Sequence, residues 1–565
     1  MFSFVLLFFV VKRNITKFIF DLLKRNEMAF DRANFIGRIV EEAVWDVIII
    51  GGGATGLGTA VDAASRGFKT LLLEQSDFAK GTSSRSTKLV HGGVRYLAQG
   101  DIALVYEALH ERGLLLKNAP HLVKDQEFII PCYSWLSKYK YLIGLKLYDL
   151  LAGKSGFKKS SFLSADEVVA AIPGLKRGKL IGGVSYSDGQ FDDARLALNL
   201  AQTASEHGGV VLNYMKVTAL TKRNEEVDGL RVIDLETGRA HDLRAKVIVN
   251  ATGVFVDEIL KMDVPAGRPI VRPSQGAHVV LDRSFLQGDS ALMIPKTSDG
   301  RVLFAVPWHG KVLVGTTDTP LDEHSMEPRP LEQEIDFILD TAGNYLTKTP
   351  LRSDVLSAFA GLRPLAAPDK NTNSTKEISR SHKLIVSKSG LITITGGKWT
   401  TYRKMAMDVV DKAIELGKLS RSKCITADIK IHGYKSKMQT GHLALYGSDA
   451  TGIQDLVTAQ PELAMKISPE YEYIKAEIVW MVRHEMARTI EDVLSRRMRL
   501  LFLDASVAIK LAPAVALIMA DELSRDDNWV ATQLHEFNQI SRRYLLGGAA
   551  MLSTLPSELA NLTDS

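Results

Sequence analysis

Between Val47 and Glu74 the chain carries a strand, glycine turn, helix and second strand in a register that leaves few alternative folds. Val47-Ile48-Ile49-Ile50 is an unbroken apolar run, the character of a strand buried on both faces. Gly51, Gly53 and Gly56 follow in G-x-G-x-x-G spacing, and an alanine-rich segment from Thr59 to Arg66-Gly67 reads as a helix closed by a glycine. Gly51 permits the tight turn, Gly53 lets backbone N–H groups approach a pyrophosphate, and Gly56 lets helix and strand pack closely. The helix N-terminus favours the phosphate charge. The next apolar run, Thr70 to Leu73, ends in Glu74, about twenty residues beyond the glycines, where a carboxylate accepts hydrogen bonds from ribose hydroxyls. Such a unit predicts a doubly wound α/β domain that binds a dinucleotide.

The motif does not choose between dinucleotides, and the choice rests on the residues downstream of Glu74. Gly81 to Leu97 is small, hydroxylic and glycine-rich, unlike a core helix or strand, and can wrap a ligand with backbone and hydroxyl donors. Val247-Ile248-Val249-Asn250-Ala251-Thr252-Gly253 and Leu391-Ile392-Thr393-Ile394-Thr395-Gly396-Gly397 each read as a buried strand running into a glycine turn. Strand-to-glycine junctions spread this widely predict one discontinuous domain contacting one long ligand.

At 565 residues, 46% hydrophobic and 24% charged, the chain is globular and too long for a single core. Its formal charge of +5 is dispersed, which argues against nucleic acid and for a phosphorylated substrate or an anionic membrane surface. Cys132 and Cys424 stand far apart without a CxxC partner, so neither a zinc site nor a disulfide framework is expected. His484-Glu485 lacks the second histidine of a zincin, Arg488 standing in its place, and no metal is expected. Phe2 to Val11 is apolar and is followed by Lys12, Arg13, Lys17, Lys24 and Arg25 with no acid before Asp21. That run is short of the roughly 20 residues needed to cross a bilayer, and its charge follows rather than precedes it. Residues 1–44 therefore read as a mitochondrial presequence or an interfacial tail.

Six segments, TSSRSTKLVHGGVRYL, FDDARLALNLA, VNATG, GTTDT, GLRPL and GGKWTTYRKMA, resemble the FAD-dependent glycerol-3-phosphate dehydrogenase family from about Asp46 to Arg403, with a fainter likeness beyond. The resemblance implies a fold like that of glutathione reductase and D-amino-acid oxidase: a doubly wound FAD domain (about 45–110, 185–265 and 355–420), an inserted antiparallel-sheet substrate domain (about 111–184 and 266–354) and an α-helical C-terminal domain (421–565). Long amphipathic stretches such as Ile474 to Leu503 support the last independently. Its implied activity is oxidation of sn-glycerol 3-phosphate to dihydroxyacetone phosphate by hydride transfer to FAD, with ubiquinone as acceptor at the mitochondrial inner membrane. A homodimer is left open. No EF-hand loop occurs, so calcium regulation of the kind found in longer relatives is not expected.

The same resemblance supplies candidate residues. Arg95, Tyr96, Arg363 and Arg380 are expected to hold the substrate phosphate, the guanidinium fork suiting a dianion. His278 is the expected proton acceptor and His91 the alternative, with Lys398 near flavin and substrate. Cofactor contacts are expected from Gly51, Gly53, Gly56, Glu74, Thr82, Ser83, Ser84, Lys88, Leu89, His91, Gly92, Gly93, Val217, Ala251, Gly253, Gly361, Gly396, Gly397 and Lys398. Asp318 either reaches the cofactor or caps a turn. Two other readings fit the residues: an oxidase that uses oxygen, and a flavin-binding scaffold without turnover. Arg496-Arg497-Met498-Arg499, ahead of Leu500-Leu501-Phe502-Leu503, reads either as a membrane-surface stretch or as a charged helix flank beside core leucines.

Overall fold

The computed structural model describes residues 30–97, 100–153, 157–298, 300–366, 382–436 and 440–546. The N-terminal apolar segment and Arg380 lie outside that range, as does the side chain of Arg95.

Two sheets organise the chain. In the first, Trp45–Ile50 is central and pairs in parallel with Thr70–Leu73 on one side and Ala240–Asn250 on the other. Val210–Leu212 extends one edge in parallel and Ile392–Gly396 the other, where His382–Val386 closes it antiparallel. Helices Ala54–Ser65, Asp193–Glu206 and Tyr402–Leu416 pack against it. Burial on both faces explains why these strands read as continuous aliphatic runs.

The second sheet is mostly antiparallel, running from Thr319–Pro320 through Val271–Asp282, Lys311–Gly315, Leu303–Trp308, Ala291–Ile294, Val123–Cys132 and Gly182–Phe191 to Leu89–Val90. Val355–Ala366, which the sequence reading grouped with the nucleotide domain, pairs with Val271–Asp282 along its length. Alternation along Val271–Asp282 divides two environments. Ala277, Val279 and Leu281 join a core under the helix Glu332–Tyr345, whereas His278 and Val280 turn towards the dinucleotide side and the C-terminal helices.

The C-terminal part is helical, but Ile474–Leu503 is not one amphipathic helix. Lys475–His484 ends before Met486 and Arg499, both at positive φ, and the intervening Asp492–Arg497 is a π-turn. The break has a cause: the arginines of this stretch turn inward as ion-pair partners. Arg496 reaches Asp77 at 2.5 Å, Glu491 at 2.6 Å and Asp492 at 2.7 Å, and Arg497 reaches Asp77 at 2.8 Å. Burial pushes the Asp77 carboxyl up, but Arg497 and Arg496 outweigh it and leave the group below the usual carboxylate range. Arg499 donates to Asp193 Oδ1 at 2.8 Å, and the fully buried Lys88 donates to Asp193 Oδ2 at 2.7 Å. Trp308 and Phe502 wall in both cations. These arginines therefore belong to the interior, and the membrane-surface reading of this stretch is set aside.

Asp193 thus balances two cations with no access to water. Asp193→Asn should lower unfolding stability by about 3–5 kcal/mol in denaturant titration, since removing one partner of a buried pair strands the others. Asp428→Asn, which breaks a surface pair with Lys117, should leave the midpoint unchanged.

Candidate active site

Two cavities meet inside the fold. The first, of about 210 Å³, is lined by Gly51, Gly53, Glu74, Thr82, Ser83, Val217, Ala251 and Gly253. The second, of about 320 Å³, is lined by Leu89, His91, Gly93, Tyr96, His278, Asp318, Gly361 and Arg363. Gly396, Gly397, Lys398 and Trp399 border both, so the last glycine junction stands where the cavities join.

The first cavity fits a dinucleotide. A Cβ on Gly51 would stand 2.7 Å from the Ala251 carbonyl oxygen, and one on Gly56 only 1.9 Å from that of Gly51, so the turn closes only with glycine at both places. Gly53 opens the helix Ala54–Ser65, whose N-terminus faces the cavity, and Ser83 Oγ accepts from the Ala54 N–H at 2.9 Å. Glu74 accepts from Gly52 at 2.6 Å and Ser76 at 2.8 Å, which fixes its carboxylate at the cavity wall. Backbone donors, a helix N-terminus and a set carboxylate suit pyrophosphate and ribose.

The second cavity is built by cross-strand pairs of one face. Val271–Asp282 and Val355–Ala366 set Ser274 opposite Arg363, Gly276 opposite Gly361 and His278 opposite Phe359. Arg363 is half-buried and donates to Asp318 at 3.3 Å, to Thr316 Oγ1 at 3.2 Å and to the Thr317 carbonyl at 3.0 Å. Asp318 also accepts from the Ser274 hydroxyl, so its carboxylate fixes the guanidinium instead of capping an isolated turn. A Cβ on Gly276 would lie 2.4 Å from Arg363 Nη2, and one on Gly315 would lie 2.3 Å from the His278 ring. Both glycines keep space for the side chain on the neighbouring strand.

His278 stacks on Phe359, with centroids 5.0 Å apart, and its Nε2 lies 2.9 Å from Thr87 Oγ1. Burial pushes its pKa well below the ordinary histidine value, and the nearby charges of Lys88 and Arg363 push the same way. The ring is therefore neutral near pH 7. Lys398 places its ammonium 3.9 Å from the centroid of the Tyr96 ring, beside Gly93. The His91 N–H donates to Thr400 Oγ1 at 3.3 Å, and the Trp399 indole donates to the Ser83 carbonyl at 2.9 Å. Those contacts tie the 81–97 segment to the last glycine junction.

Most of the residues singled out from sequence converge here, although some take other places. Lys88 and Ser84 line neither cavity: Lys88 donates to Asp193 and to the Ser84 carbonyl at 2.6 Å. Gly92 also lies outside the linings, and its N–H donates to Tyr148 Oη at 2.8 Å. Arg95 belongs to the short helix Val94–Leu97. Sequence reading passed over Arg301, which lines the second cavity between the strands Ala291–Ile294 and Leu303–Trp308, and Thr87, the hydroxyl partner of His278. Arg301 carried a signal, a cation just past a turn between apolar runs. Thr87 carried none, because its partner is 191 residues away.

A family model for FAD-dependent oxidoreductases matches residues 46–403, and one for the C-terminal domain of alpha-glycerophosphate oxidase matches residues 390–529. The mitochondrial glycerol-3-phosphate dehydrogenase of Macaca fascicularis is 40% identical over 559 residues, covering 91% of this chain and 76% of that protein. That of Arabidopsis thaliana is 41% identical over 526 residues, covering 84% and 82%. The structure of the glycerol-3-phosphate dehydrogenase from Bacillus halodurans complexed with FAD superposes with a TM-score of 0.74 at 31% identity, over 91% of this chain and 98% of that one. A glycine oxidase from Geobacillus kaustophilus, 18% identical with a TM-score of 0.51, shares the fold alone. Paired cavities, a glycine cradle and relatives of this closeness agree: the chain belongs to the FAD-dependent glycerol-3-phosphate dehydrogenase family, and its cofactor is FAD.

Proposed function

We propose that this chain oxidises sn-glycerol 3-phosphate to dihydroxyacetone phosphate and passes the electrons to a membrane quinone, in the mitochondrion and at its inner membrane. One observation carries the reading: the dinucleotide cavity and a cation-lined cavity join at Lys398, with Arg363 and His278 on one face of the second. Bound FAD supplies the acceptor for the hydride that leaves C2 of the substrate. Arg363 holds the phosphate through its planar fork, already aimed by Asp318, Thr316 and Thr317. Arg301 adds charge from the cavity wall, and the motif resemblance adds Arg95, Tyr96 and Arg380. Neutral His278 accepts the hydroxyl proton, its ring held by Phe359 behind and Thr87 beside it. Lys398 favours the oxygen as it gains negative character. Phe128, Tyr186 and Phe304 give the cavity apolar walls that keep water from the reacting carbon.

Anaerobic addition of glycerol 3-phosphate to the yellow protein tests the reading directly. Bleaching is expected, followed by reoxidation with a quinone analogue; peroxide release in air at the same rate would favour an oxidase, and no bleaching a scaffold.

Arg363→Ala should keep the flavin colour and raise KM roughly hundredfold, the worth of two charge-assisted hydrogen bonds at about 1.5 kcal/mol each. Unchanged steady-state kinetics would remove Arg363 from the site.

Because burial and the charges of Lys88 and Arg363 hold the His278 pKa well below the usual value of about 6.5 in the free protein, its accepting form persists as pH falls, so kcat/KM should show no His278-dependent loss between about pH 8 and 6.5. A limb near the ordinary histidine pKa that disappears in His278→Asn would contradict this.

A further inference from the structure

Thr316, Thr317 and Asp318 are consecutive, and each accepts a hydrogen bond from Arg363, at 3.2, 3.0 and 3.3 Å respectively. Those lengths stand at the long end of the range for N–H···O bonds, so a shift of a few tenths of an ångström in this segment loses the aim of the guanidinium. Whatever holds residues 316–319 therefore sets the direction of the fork. Asp318 is reached by the Ser274 hydroxyl, and Thr319–Pro320 pairs with Ser274 and Gln275. A further hold comes from outside these strands.

Glu334 lies in the first turn of the helix Glu332–Tyr345, where a glutamate commonly caps the helix by accepting from the backbone N–H three residues before it. It does so here, with Oε2 accepting from the Leu331 N–H at 2.9 Å. A cap alone would stand at the surface, as the neighbouring Glu332 does, but Glu334 is buried. Its Oε2 also accepts from Gln275 Nε2 at 2.7 Å, and its Oε1 accepts from the hydroxyls of Thr317 and Thr319 at 2.7 and 2.6 Å. Thr317 and Thr319 flank Asp318. These bonds are at the short end of the range, so the stiff part of the assembly is the carboxylate and the soft part is the arginine.

The neighbours of Glu334 call for an acceptor at both of its oxygens. Thr317 Oγ1 already accepts from the Ala277 N–H at 2.9 Å, so its one proton points at Glu334. Gln275 Nε2, which donates also to the Arg329 carbonyl at 2.9 Å, and the Leu331 N–H are donors too. An amide of the same shape would turn N–H groups toward one pair of these donors.

We propose that Glu334 is a positioning residue for the substrate phosphate: by gripping Thr317 and Thr319 on either side of Asp318, it sets the direction in which Arg363 presents its fork. The role rests on the reading of Arg363 as the phosphate holder and deepens it, tying the anion site to a helix that lines neither of the two joined cavities.

Glu334→Gln keeps the side-chain volume and exchanges an acceptor for a donor. In the FAD-loaded enzyme it should raise the KM for glycerol 3-phosphate roughly tenfold, the worth of one charge-assisted hydrogen bond, and change kcat by less than about threefold, since the phosphate is held in substrate and transition state alike. The Kd of inorganic phosphate for the oxidised enzyme, read from the flavin difference spectrum, should rise by the same factor. A contribution to folding alone would lower the melting temperature and leave both constants where they were. Arg363→Ala/Glu334→Gln should have the KM of Arg363→Ala, because the glutamate acts only through the arginine. Single effects that multiply in the double variant would overturn the positioning role, as would an unchanged KM and phosphate Kd in Glu334→Gln. If Glu334→Gln does not fold, Thr319→Val, which takes one hydroxyl from Glu334 without touching either cavity, should raise KM about threefold, and an unchanged KM there overturns the role. An unchanged KM in Arg363→Ala would overturn the phosphate reading and the positioning role together, so the variant that stays silent tells the two failures apart.

Discussion

The arrangement depends on a buried carboxylate, Asp193, holding two buried cations at once. Lys88 arrives from the hydroxylic segment that joins the two sheets, Asp193 from the first turn of a helix on the nucleotide sheet, and Arg499 from the C-terminal helices. Three remote parts of the chain are thereby fixed at one point with no water present to relax them. Burial drives Lys88 down to about 7 in spite of the pull from Asp193. The cluster is therefore a poor source of net stability compared with an apolar packing, but it demands one geometry, because any misplacement strands a charge. The aromatic wall transmits that demand: Phe502 packs edge-on against Phe359 at 4.8 Å, and Phe359 is the ring on which His278 lies. The C-terminal helices thus help hold His278 without lining its cavity.

Legibility from sequence followed the range of each interaction. The nucleotide unit could be read because its determinants lie within about thirty residues and each has a single physical reason, turn, close approach or helix packing. Gly276 and Gly315 could not, although they leave room for Arg363 and His278, since the side chain that needs the space sits on the neighbouring strand. Likewise, Arg496, Arg497 and Arg499 looked like the flank of an amphipathic helix because periodicity treats charge as solvent-facing. Their partners, Asp77 and Asp193, are more than 300 residues away in the chain, and only the fold shows that the periodic pattern breaks to deliver them inward.

The motif resemblance carried the site further than local pattern, but unevenly. It grouped Ser84, Lys88 and Gly92 with the cofactor contacts; in the fold Lys88 donates to Asp193 and to the Ser84 carbonyl, and the Gly92 N–H to Tyr148. A motif records which residues a family keeps together without distinguishing those that touch the ligand from those that position what does. Lys88 is the clear case, two residues from Val90 in a strand of the second sheet yet committed to a carboxylate on the first.

If His278 is the proton acceptor, as proposed, a tension in the second cavity explains how so weak a base can serve there. The cations that suit a phosphate dianion are the ones that, after burial itself, lower the basicity of His278: Lys88 behind it and Arg363 beside it. Burial, with the charges of Lys88 and Arg363 added, keeps the imidazole neutral. A phosphate held by Arg363 brings two negative charges into that field, at short range and in a site of low dielectric, where a charge at this distance outweighs the same charge in water several times over. The field from Arg363 is then offset, while that from Lys88 remains tied to Asp193. On the proposed reading His278 would therefore gain proton affinity with substrate in place, and the hydroxyl proton would meet a better acceptor in the complex than in the free protein.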